Sequence, residues 1–369
     1  MRRIVSLFLA LLVLQAALPA SSLAEDDDDL LIEEIIESVE PENTPGIYES
    51  DGSVLLTISC TGDFTIGGDS RKKKNIFEDE LKNQGGDLNF TMQNMRSLFL
   101  ADDMTLVNFE GTLTESTHIP GNKVNNQFLF SAPPSYVSML SDNGIEAVSL
   151  ENNHIMDHGE EAYEETKQTL RNAGIVYSNS TEMGVFEVKG IQIAMLSYLC
   201  IDRYDSLWDK VPQDIREAKE KYPLVIVSFH WGNEKDYSPT DNQIRMGRLA
   251  VDSGADLVVG HHSHRMNPIE FYQGVYICYS LGNFCFSGNS KPSDMNSYVF
   301  QIRFRVKDGA VSTKGFRIVP IRISSRTDRN DFIPTLITKD TTIDAILNTL
   351  TENGRKLEYA VSSYPLEWE

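Results

Sequence analysis

The chain has 369 residues, a formal net charge of −21 and 41% hydrophobic residues. This composition excludes wholesale disorder, and the acidic balance excludes nucleic-acid binding through a basic surface. It also disfavours electrostatic docking on an anionic membrane.

The first 24 residues predict export. Arg2 and Arg3 precede an apolar run that ends near residue 18, and small residues follow as far as Ala24. A basic start, a short apolar core and a small-residue end predict a secretory signal peptide cleaved after about Ala24. An uncleaved N-terminal anchor is the alternative, although the run is short for a spanning helix. We therefore expect a secreted protein of the extracytoplasmic cell envelope.

An acidic leader follows at 25–50. Residues 25–42 contain ten Asp or Glu and no Lys or Arg, which predicts a disordered spacer. A short amphipathic helix through Leu30, Leu31, Ile35 and Ile36 is the alternative.

From about residue 53, apolar strands alternate with amphipathic helical segments. The predicted strands are 54–60, 104–109, 146–150, 191–199, 224–229, 256–260 and 275–281. The predicted helices are 88–101, 133–143, 159–173, 212–221 and 240–253. Residues 297–324 alternate as a β-hairpin that turns at Asp308-Gly309. This order predicts one α/β domain over 51–325 with late antiparallel strands, and a C-terminal tail, 326–369, that packs on it.

Polar side chains collect at the carboxyl ends of these strands, where open α/β sheets bind ligands. Five of the seven histidines lie at such ends. Carboxylate and imidazole groups in this order suit Zn, Mn, Fe or Ni rather than a thiolate-bound metal. The residues concerned are Asp63, Glu110, Asn153, His154, Asp157, His230, Glu234, His261, His262 and His264. Asp157 and Glu234 are candidates to orient imidazoles that bind the metal, with ordinary surface acids as the alternative.

Six motifs in sequence carry a family resemblance over about residues 52–325. They are Gly62-Asp63, Asn108-x-Glu110-Gly111, Asn152-Asn153-His154-x-x-Asp157-x-Gly159, His230-Trp231-Gly232-x-Glu234, Gly260-His261-His262-x-His264 and Tyr279-Ser280-Leu281-Gly282-Asn283-Phe284. This set resembles the CapA family of bacterial poly-γ-glutamate capsule biosynthesis proteins, within the calcineurin-like metallophosphoesterase superfamily.

The resemblance implies a four-layer α/β/β/α sandwich of metallophosphoesterase type that binds one or two divalent ions, Mn, Zn or Fe. The metal ligands it implies are Asp63, Glu110, Asn153, His230, His262 and His264. The catalytic residues are His154 and Asp157, and the further candidates are His261, Glu234 and Asn283. Which of His261 and His262 binds the metal stays open, because Gly-His-x-His can be matched in two registers.

Two departures from the superfamily leave the number of ions open. Phe64 and Thr65 follow Asp63 where the wider superfamily has Asp-x-His, and Glu110 lies in NFEG rather than in Gly-Asp-x-x-Asp. Both departures are shared by the CapA pattern. A single tightly held ion is the alternative to two.

Two functions remain as alternatives. One is a metal-dependent hydrolase of ester bonds, similar to a phosphoesterase. The other is a capsule component, non-catalytic or transpeptidase-like, that binds polyglutamate during assembly or export. The expected partners are an anionic polymer or a phosphoester substrate and a membrane polyglutamate synthase complex, without nucleic acid. The basic segment 71–74 is either a feature that attracts an anionic substrate or a solvated loop.

Overall fold

The structure, a computed structural model, describes residues 48–69, 71–126, 128–201 and 204–368. The predicted signal peptide and nearly all of the acidic leader lie outside these residues. No helix within the described ranges is long and apolar enough to cross a membrane.

The strands and helices alternate as predicted over most of the chain. The strands are β1 (Val54–Thr65), β2 (Met104–Phe109), β3 (Thr112–Leu113), β4 (Ser131–Ala132), β5 (Ala147–Ser149), β6 (Val176–Ser178), β7 (Gly184–Val188), β8 (Ile191–Cys200), β9 (Leu224–Trp231), β10 (Leu257–His261), β11 (Ile269–Tyr272), β12 (Val275–Cys278), β13 (Asn283–Phe286), β14 (Asn296–Lys307), β15 (Ala310–Arg322) and β16 (Thr335–Leu336). The α-helices are α1 (Ile76–Asn83), α2 (Arg96–Leu100), α3 (Ser138–Ser141), α4 (Glu160–Asn172), α5 (Leu207–Lys219), α6 (Asp241–Asp252) and α7 (Asp340–Gly354).

Two sheets carry the fold. The first has the order β16-β15-β14-β1-β2-β5-β6, with β13 pairing to the carboxyl half of β1. The second has the order β11-β12-β10-β9-β8-β7. In β2 and β9 every residue is buried, which is typical of parallel strands covered on both faces.

Three apolar clusters define four layers. Residues of both sheets, such as Ile58 and Ile226, share one cluster between the sheets. Val107 packs on the other face of the first sheet with Leu170 of α4. Val227, next to Ile226 on β9 and therefore on the opposite face, packs with Ile215 of α5. The predicted α/β/β/α sandwich is confirmed.

The predicted hairpin is also confirmed. Strands β14 and β15 pair antiparallel from Asn296↔Arg322 to Lys307↔Ala310. Asp308 and Gly309 have positive φ values of 52° and 77°, as a two-residue turn of this type requires. Beyond the hairpin, Ile346 and Leu350 of α7 join the cluster between the sheets.

Two predicted helices are shorter than the sequence pattern indicates. Residues 88–101 form a 3₁₀ turn and then α2, and the Asn94 side chain between them donates to Thr335 Oγ1 at 2.9 Å. Residues 133–143 begin with Pro133-Pro134 and a 3₁₀ turn before α3. Proline fixes φ and lacks an N–H, which favours a short turn at the start of the second segment.

Candidate metal centre

The candidate site lies where the carboxyl ends of strands from both sheets meet. In the first sheet, Asp63 of β1 is in register with Asn108 of β2 on one side and with Asn283 of β13 on the other. In the second sheet, His230 at the end of β9 is in register with His261 at the end of β10. Backbone pairing therefore brings carboxylate, amide and imidazole groups to one place.

Two glycines allow the backbones to approach this closely. A Cβ atom on Gly62 would lie 2.1 Å from the carbonyl oxygen of Gly282, the same oxygen that accepts a hydrogen bond from the Asp63 N–H at 2.9 Å. A Cβ atom on Gly260 would lie 2.1 Å from the carbonyl oxygen of Tyr279. A side chain at either glycine would force the strands apart, so these glycines set the position of the site residues beside them.

Asp63, Glu110 and His230 form the buried part of the site. One potential ligand atom from each lies within 4.8 Å of the other two, and each residue is at most 1% exposed. The Asn108 side-chain amide donates to Asp63 Oδ1 at 2.9 Å and to Glu110 Oε1 at 3.2 Å. The Thr65 hydroxyl donates to Glu110 Oε2 at 3.4 Å. Neutral donors thus hold the two carboxylates beside each other.

The two carboxylates have opposite pKa shifts. Burial, followed by repulsion from the Asp63 carboxylate, raises the pKa of Glu110 well above its usual value. Burial acts on Asp63 in the same direction, but contact with the ring of His264 and the nearby His261 and His230 outweighs it and lowers the pKa of Asp63. Two adjacent buried carboxylates cannot both be charged unless a positive charge lies beside them, and a bound divalent cation would provide that charge.

The segment 261–264 brings three imidazoles to the site. His262 and His264 have positive φ values of 89° and 53°, a strained conformation that costs about 1–3 kcal/mol per residue and is concentrated at functional sites. The His262 ring lies 4.6 Å from the His230 ring. Burial lowers the pKa of His261 and of His262 to about 4. Both rings are therefore neutral at pH 7, the form that binds a metal.

His264 has a different charge. Burial lowers its pKa, but the Asp63 carboxylate outweighs burial and raises the pKa of His264 to about 9. Its Nδ1 lies 2.9 Å from Asn283 Oδ1 and 3.0 Å from Asp63 Oδ2. One N–H cannot point well at both oxygens, so we assign this hydrogen bond to the nearer Asn283. Binding of a cation at Asp63 would favour loss of the His264 proton.

Several buried polar atoms of the site have no hydrogen-bond partner within the described residues. They are Asp63 Oδ2 and both ring nitrogens of His261, whose Nδ1 lies 3.6 Å from Asp63 Oδ1. A buried polar atom without a partner costs about 1–3 kcal/mol. Convergent oxygen and nitrogen donors of this kind fit a divalent transition-metal ion.

His154 and Asp157 form a hydrogen-bonded pair at the edge of the buried group. His154 Nδ1 lies 2.7 Å from Asp157 Oδ2, which also accepts from the Phe130 N–H at 2.9 Å. The carboxylate accepts from Nδ1–H, which assigns the proton to that nitrogen and leaves Nε2 available to a substrate. The Lys123 ammonium donates to Asp157 Oδ1 at 3.0 Å.

Asn153 lies between this pair and the buried group. Its Oδ1 is 2.7 Å from His230 Nε2, and its backbone carbonyl accepts from Lys123 Nζ at 2.8 Å. Asn152, the preceding residue, donates to the Phe109 carbonyl at 2.7 Å and accepts from the His154 N–H at 3.0 Å. The 152–154 segment is thereby fixed to the end of β2.

The structure brings nearly all of the predicted site residues together. Those at the site are Asp63, Glu110, Asn153, His154, Asp157, His230, His261, His262, His264 and Asn283. Glu234 is exposed beyond β9 and makes no hydrogen bond to an imidazole within the described residues. The charge of Glu234 still acts to raise the pKa of Glu110 and of His262.

Three residues at the site were not assigned a role from the sequence. Asn108 and Asn152 lie inside the recognised motifs, and Asn108 precedes Glu110 by two positions, the spacing of side chains on one face of a strand. That spacing could have indicated from the sequence that the Asn108 side chain lies beside Glu110. Lys123 lies in a polar loop outside any motif, so only the folded chain places it beside Asp157.

Comparisons with known proteins agree on one family. The sequence model of a family described as "Bacterial capsule synthesis protein PGA_cap" matches residues 57–288. The "PGA biosynthesis protein CapA" of Bacillus subtilis (strain 168) is 30% identical over 294 residues, which cover 74% of this chain and 73% of that protein. The "Capsule biosynthesis protein CapA" of Bacillus anthracis is 27% identical over 323 residues, which cover 79% of this chain and 75% of that protein.

One solved structure is similar in outline. It is titled "Crystal structure of calcineurin-like phosphoesterase YfkN from Bacillus subtilis" and shares 17% sequence identity at a TM-score of 0.43. The alignment covers 82% of this chain and 100% of that chain.

Proposed function

Because this chain belongs to the bacterial capsule synthesis protein family PGA_cap, we propose that it takes part in poly-γ-glutamate capsule synthesis as a metal-dependent hydrolase of ester bonds. The hydrolase part is supported chiefly by the buried group of Asp63, Glu110 and His230, whose donors converge within 4.8 Å. The capsule part is supported by the family and by the two CapA relatives, whose names describe PGA and capsule biosynthesis.

The residues that would hold the ion are the two carboxylates and the imidazoles around them. They are Asp63, Glu110, Asn153, His230, His262 and His264, with His261 as the alternative to His262. A divalent ion held there, Mn, Zn or Fe, would polarise a phosphoryl oxygen and neutralise developing negative charge. The His264 Nδ1–H donates to Asn283 Oδ1, and this hydrogen bond orients the His264 ring as a metal ligand.

His154 is the residue placed to move a proton. Asp157 accepts from Nδ1–H, so Nε2 is the ring nitrogen that remains for a substrate. In the protonated ring, Nε2–H would donate to the leaving oxygen, and the buried Asp157 carboxylate would stabilise the positive imidazolium. Phe130 contacts the His154 ring edge-on at 4.7 Å and limits the orientations of the ring.

We place this activity outside the cytoplasm. The basic start, apolar core and small-residue end of residues 1–24 support secretion. The proposed partners are an anionic polymer or phosphoester substrate and a membrane polyglutamate synthase complex.

The test is turnover of a chromogenic phosphomonoester or phosphodiester by protein loaded with Mn²⁺, Zn²⁺ or Fe²⁺. We expect turnover by the parent protein and its loss in His154→Ala and His262→Ala, with metal content retained in His154→Ala. Lys356→Ala, an exposed change outside the site, is the matched control. If no ester is hydrolysed under any loading, the hydrolase proposal is wrong.

A second candidate function is a polymer-binding component of capsule assembly, non-catalytic or transpeptidase-like. It is favoured by the names of the two CapA relatives, which describe biosynthesis rather than hydrolysis. Metal-loaded protein that binds polyglutamate but hydrolyses no ester would support it over the first candidate.

A further inference from the structure

The basic segment 71–74 lies beside the candidate metal centre. Asp69 holds the Arg71 guanidinium at 2.6 Å, and the guanidinium also donates to the backbone carbonyls of Val124 and Asn126 at 3.2 and 3.0 Å. These bonds tie the basic segment to the loop that carries Lys123. Since Lys123 contacts both Asp157 and the Asn153 carbonyl, the two loops are connected to the segment that carries Asn153 and the His154–Asp157 pair.

Aromatic rings continue from the imidazoles to this basic segment. The Phe130 ring lies 4.7 Å from the His154 ring, and the Phe128 ring stacks on Phe130 at 6.1 Å with an interplanar angle of 7°. Phe286 contacts both Phe130 and His264, at 6.2 and 5.0 Å. The Lys72 ammonium lies 4.4 Å from the centre of the Phe128 ring. An unbroken series of ring contacts therefore joins the site to Lys72.

Two cations of this segment are open to solvent. Lys72 and Lys73 are exposed, and within the described residues neither forms an ion pair, whereas Arg71 pairs with Asp69 and Lys74 lies 4.0 Å from Asp79. We call the exposed Lys72 and Lys73 and the half-buried Phe128 the cationic rim, while the buried Phe130 lies beneath it. The rim provides local positive charge at the site of a chain whose net charge is −21.

We propose that the cationic rim binds successive carboxylates of an extended polycarboxylate chain and leads that chain to the metal centre. This inference rests on the capsule part of the proposed function and adds the surface that would hold the polymer. A strongly acidic protein repels a polyanion unless local cations offset its field, and the rim supplies them, with two phenylalanine rings between Lys72 and His154. The half-buried Phe128 ring beside the cations would contact the methylene groups between carboxylates.

The cations of this segment that are free to bind a polymer are lysines rather than the arginine. The bidentate fork of Arg71, the geometry best matched to phosphate, is already occupied by Asp69. Lysine is a compact point charge on a flexible stem, so Lys72 and Lys73 can follow a repeating chain without a fixed register.

The experiment measures binding of fluorescently labelled poly-γ-glutamate to the Mn²⁺-loaded full chain by anisotropy. We expect Lys72→Glu/Lys73→Glu to weaken binding at least tenfold. The control, Lys314→Glu/Lys356→Glu, makes the same change in net charge at exposed lysines outside the site and the rim, and we expect its affinity to stay within twofold of the parent. Affinity of the parent should fall steeply as salt is raised, because exposed charges are screened.

Three results would contradict polymer binding by the cationic rim. They are equal weakening in both double variants, unchanged binding in Lys72→Glu/Lys73→Glu, and binding of polyphosphate without binding of polyglutamate. Metal content of each variant, measured in parallel, shows whether the centre is intact. Failure of the hydrolase proposal is distinguishable, since it would appear as no ester turnover by the parent while rim-dependent polymer binding persists.

Discussion

Gly62→Ala places a methyl group where the backbone of Gly282 already lies. The added Cβ atom would be 2.1 Å from the Gly282 carbonyl oxygen and 2.7 Å from its carbonyl carbon. Both are backbone atoms, so no side chain can rotate away. Strands β1 and β13 must separate, and the hydrogen bond from the Asp63 N–H to Gly282 weakens.

The cost follows from these two effects. Overpacking costs typically about 1–3 kcal/mol, and a lost hydrogen bond about 1 kcal/mol more, so we expect Gly62→Ala to lower the free energy of unfolding by about 3 kcal/mol. With a urea slope of about 3 kcal/mol/M for a chain of this size, the unfolding midpoint falls by about 1 M. Metal affinity falls as well, because Asp63 moves with the strand.

Urea unfolding followed by circular dichroism measures the first effect and metal titration the second. Gly121→Ala is the control, since a Cβ atom there meets nothing within 4 Å, and we expect a change within about 0.5 kcal/mol. A Gly62→Ala protein with parental stability and metal affinity would refute the close approach of β1 and β13.

Three further predictions concern the site. In metal-free protein the free energy of unfolding should fall as pH drops from about 6.5 to about 4, because the unfolded chain gains protons that buried His261 and His262 do not accept. Urea unfolding at pH 7 and pH 5 should show a smaller fall for a His261→Gln protein than for the parent. An identical fall in the two proteins would contradict the burial of the His261 ring. Chelation after saturation at about 100 times Kd should remove about 2.7 kcal/mol of stabilisation and lower Tm by about 5 °C, and calorimetry showing no shift would contradict metal binding. Asp157→Asn should retain metal but lower kcat for a chromogenic ester by about 10²–10⁴, and unchanged kcat would remove the proposed role of the His154–Asp157 pair.

The strand framework could be predicted because its residues are locally distinctive. The run 104–109 is mostly apolar and coincides with β2, and Asp308-Gly309 is a residue pair that accepts the positive φ values of a two-residue turn. Strand β1 continues five residues beyond its predicted end, through Asp63 to Thr65. That extension pairs with β2 on one side and with β13 on the other, and the β13 contact joins residues more than 200 positions apart, which no local pattern contains.

The residues of the candidate site also divide into those that the sequence could predict and those that it could not. The histidines and acids could be proposed from the sequence because each follows a strand. Lys123 could not, since its contact with Asp157 depends on how the loop 115–129 folds back. The basic segment 71–74 could be noticed, but its position at the site depends on the hydrogen bonds between Arg71 and the carbonyls of Val124 and Asn126.

Metal stoichiometry tests the central claim most directly. Purified full chain, dialysed against Mn²⁺, Zn²⁺ or Fe²⁺ and analysed by elemental mass spectrometry, should hold one or two ions per chain. Asp63→Asn and His230→Ala proteins, with Lys356→Ala as the control, should lose that metal while remaining folded by circular dichroism. A folded parent protein that binds no divalent ion, or variants that bind as many ions as the parent, would contradict a metal centre at the joined strand ends.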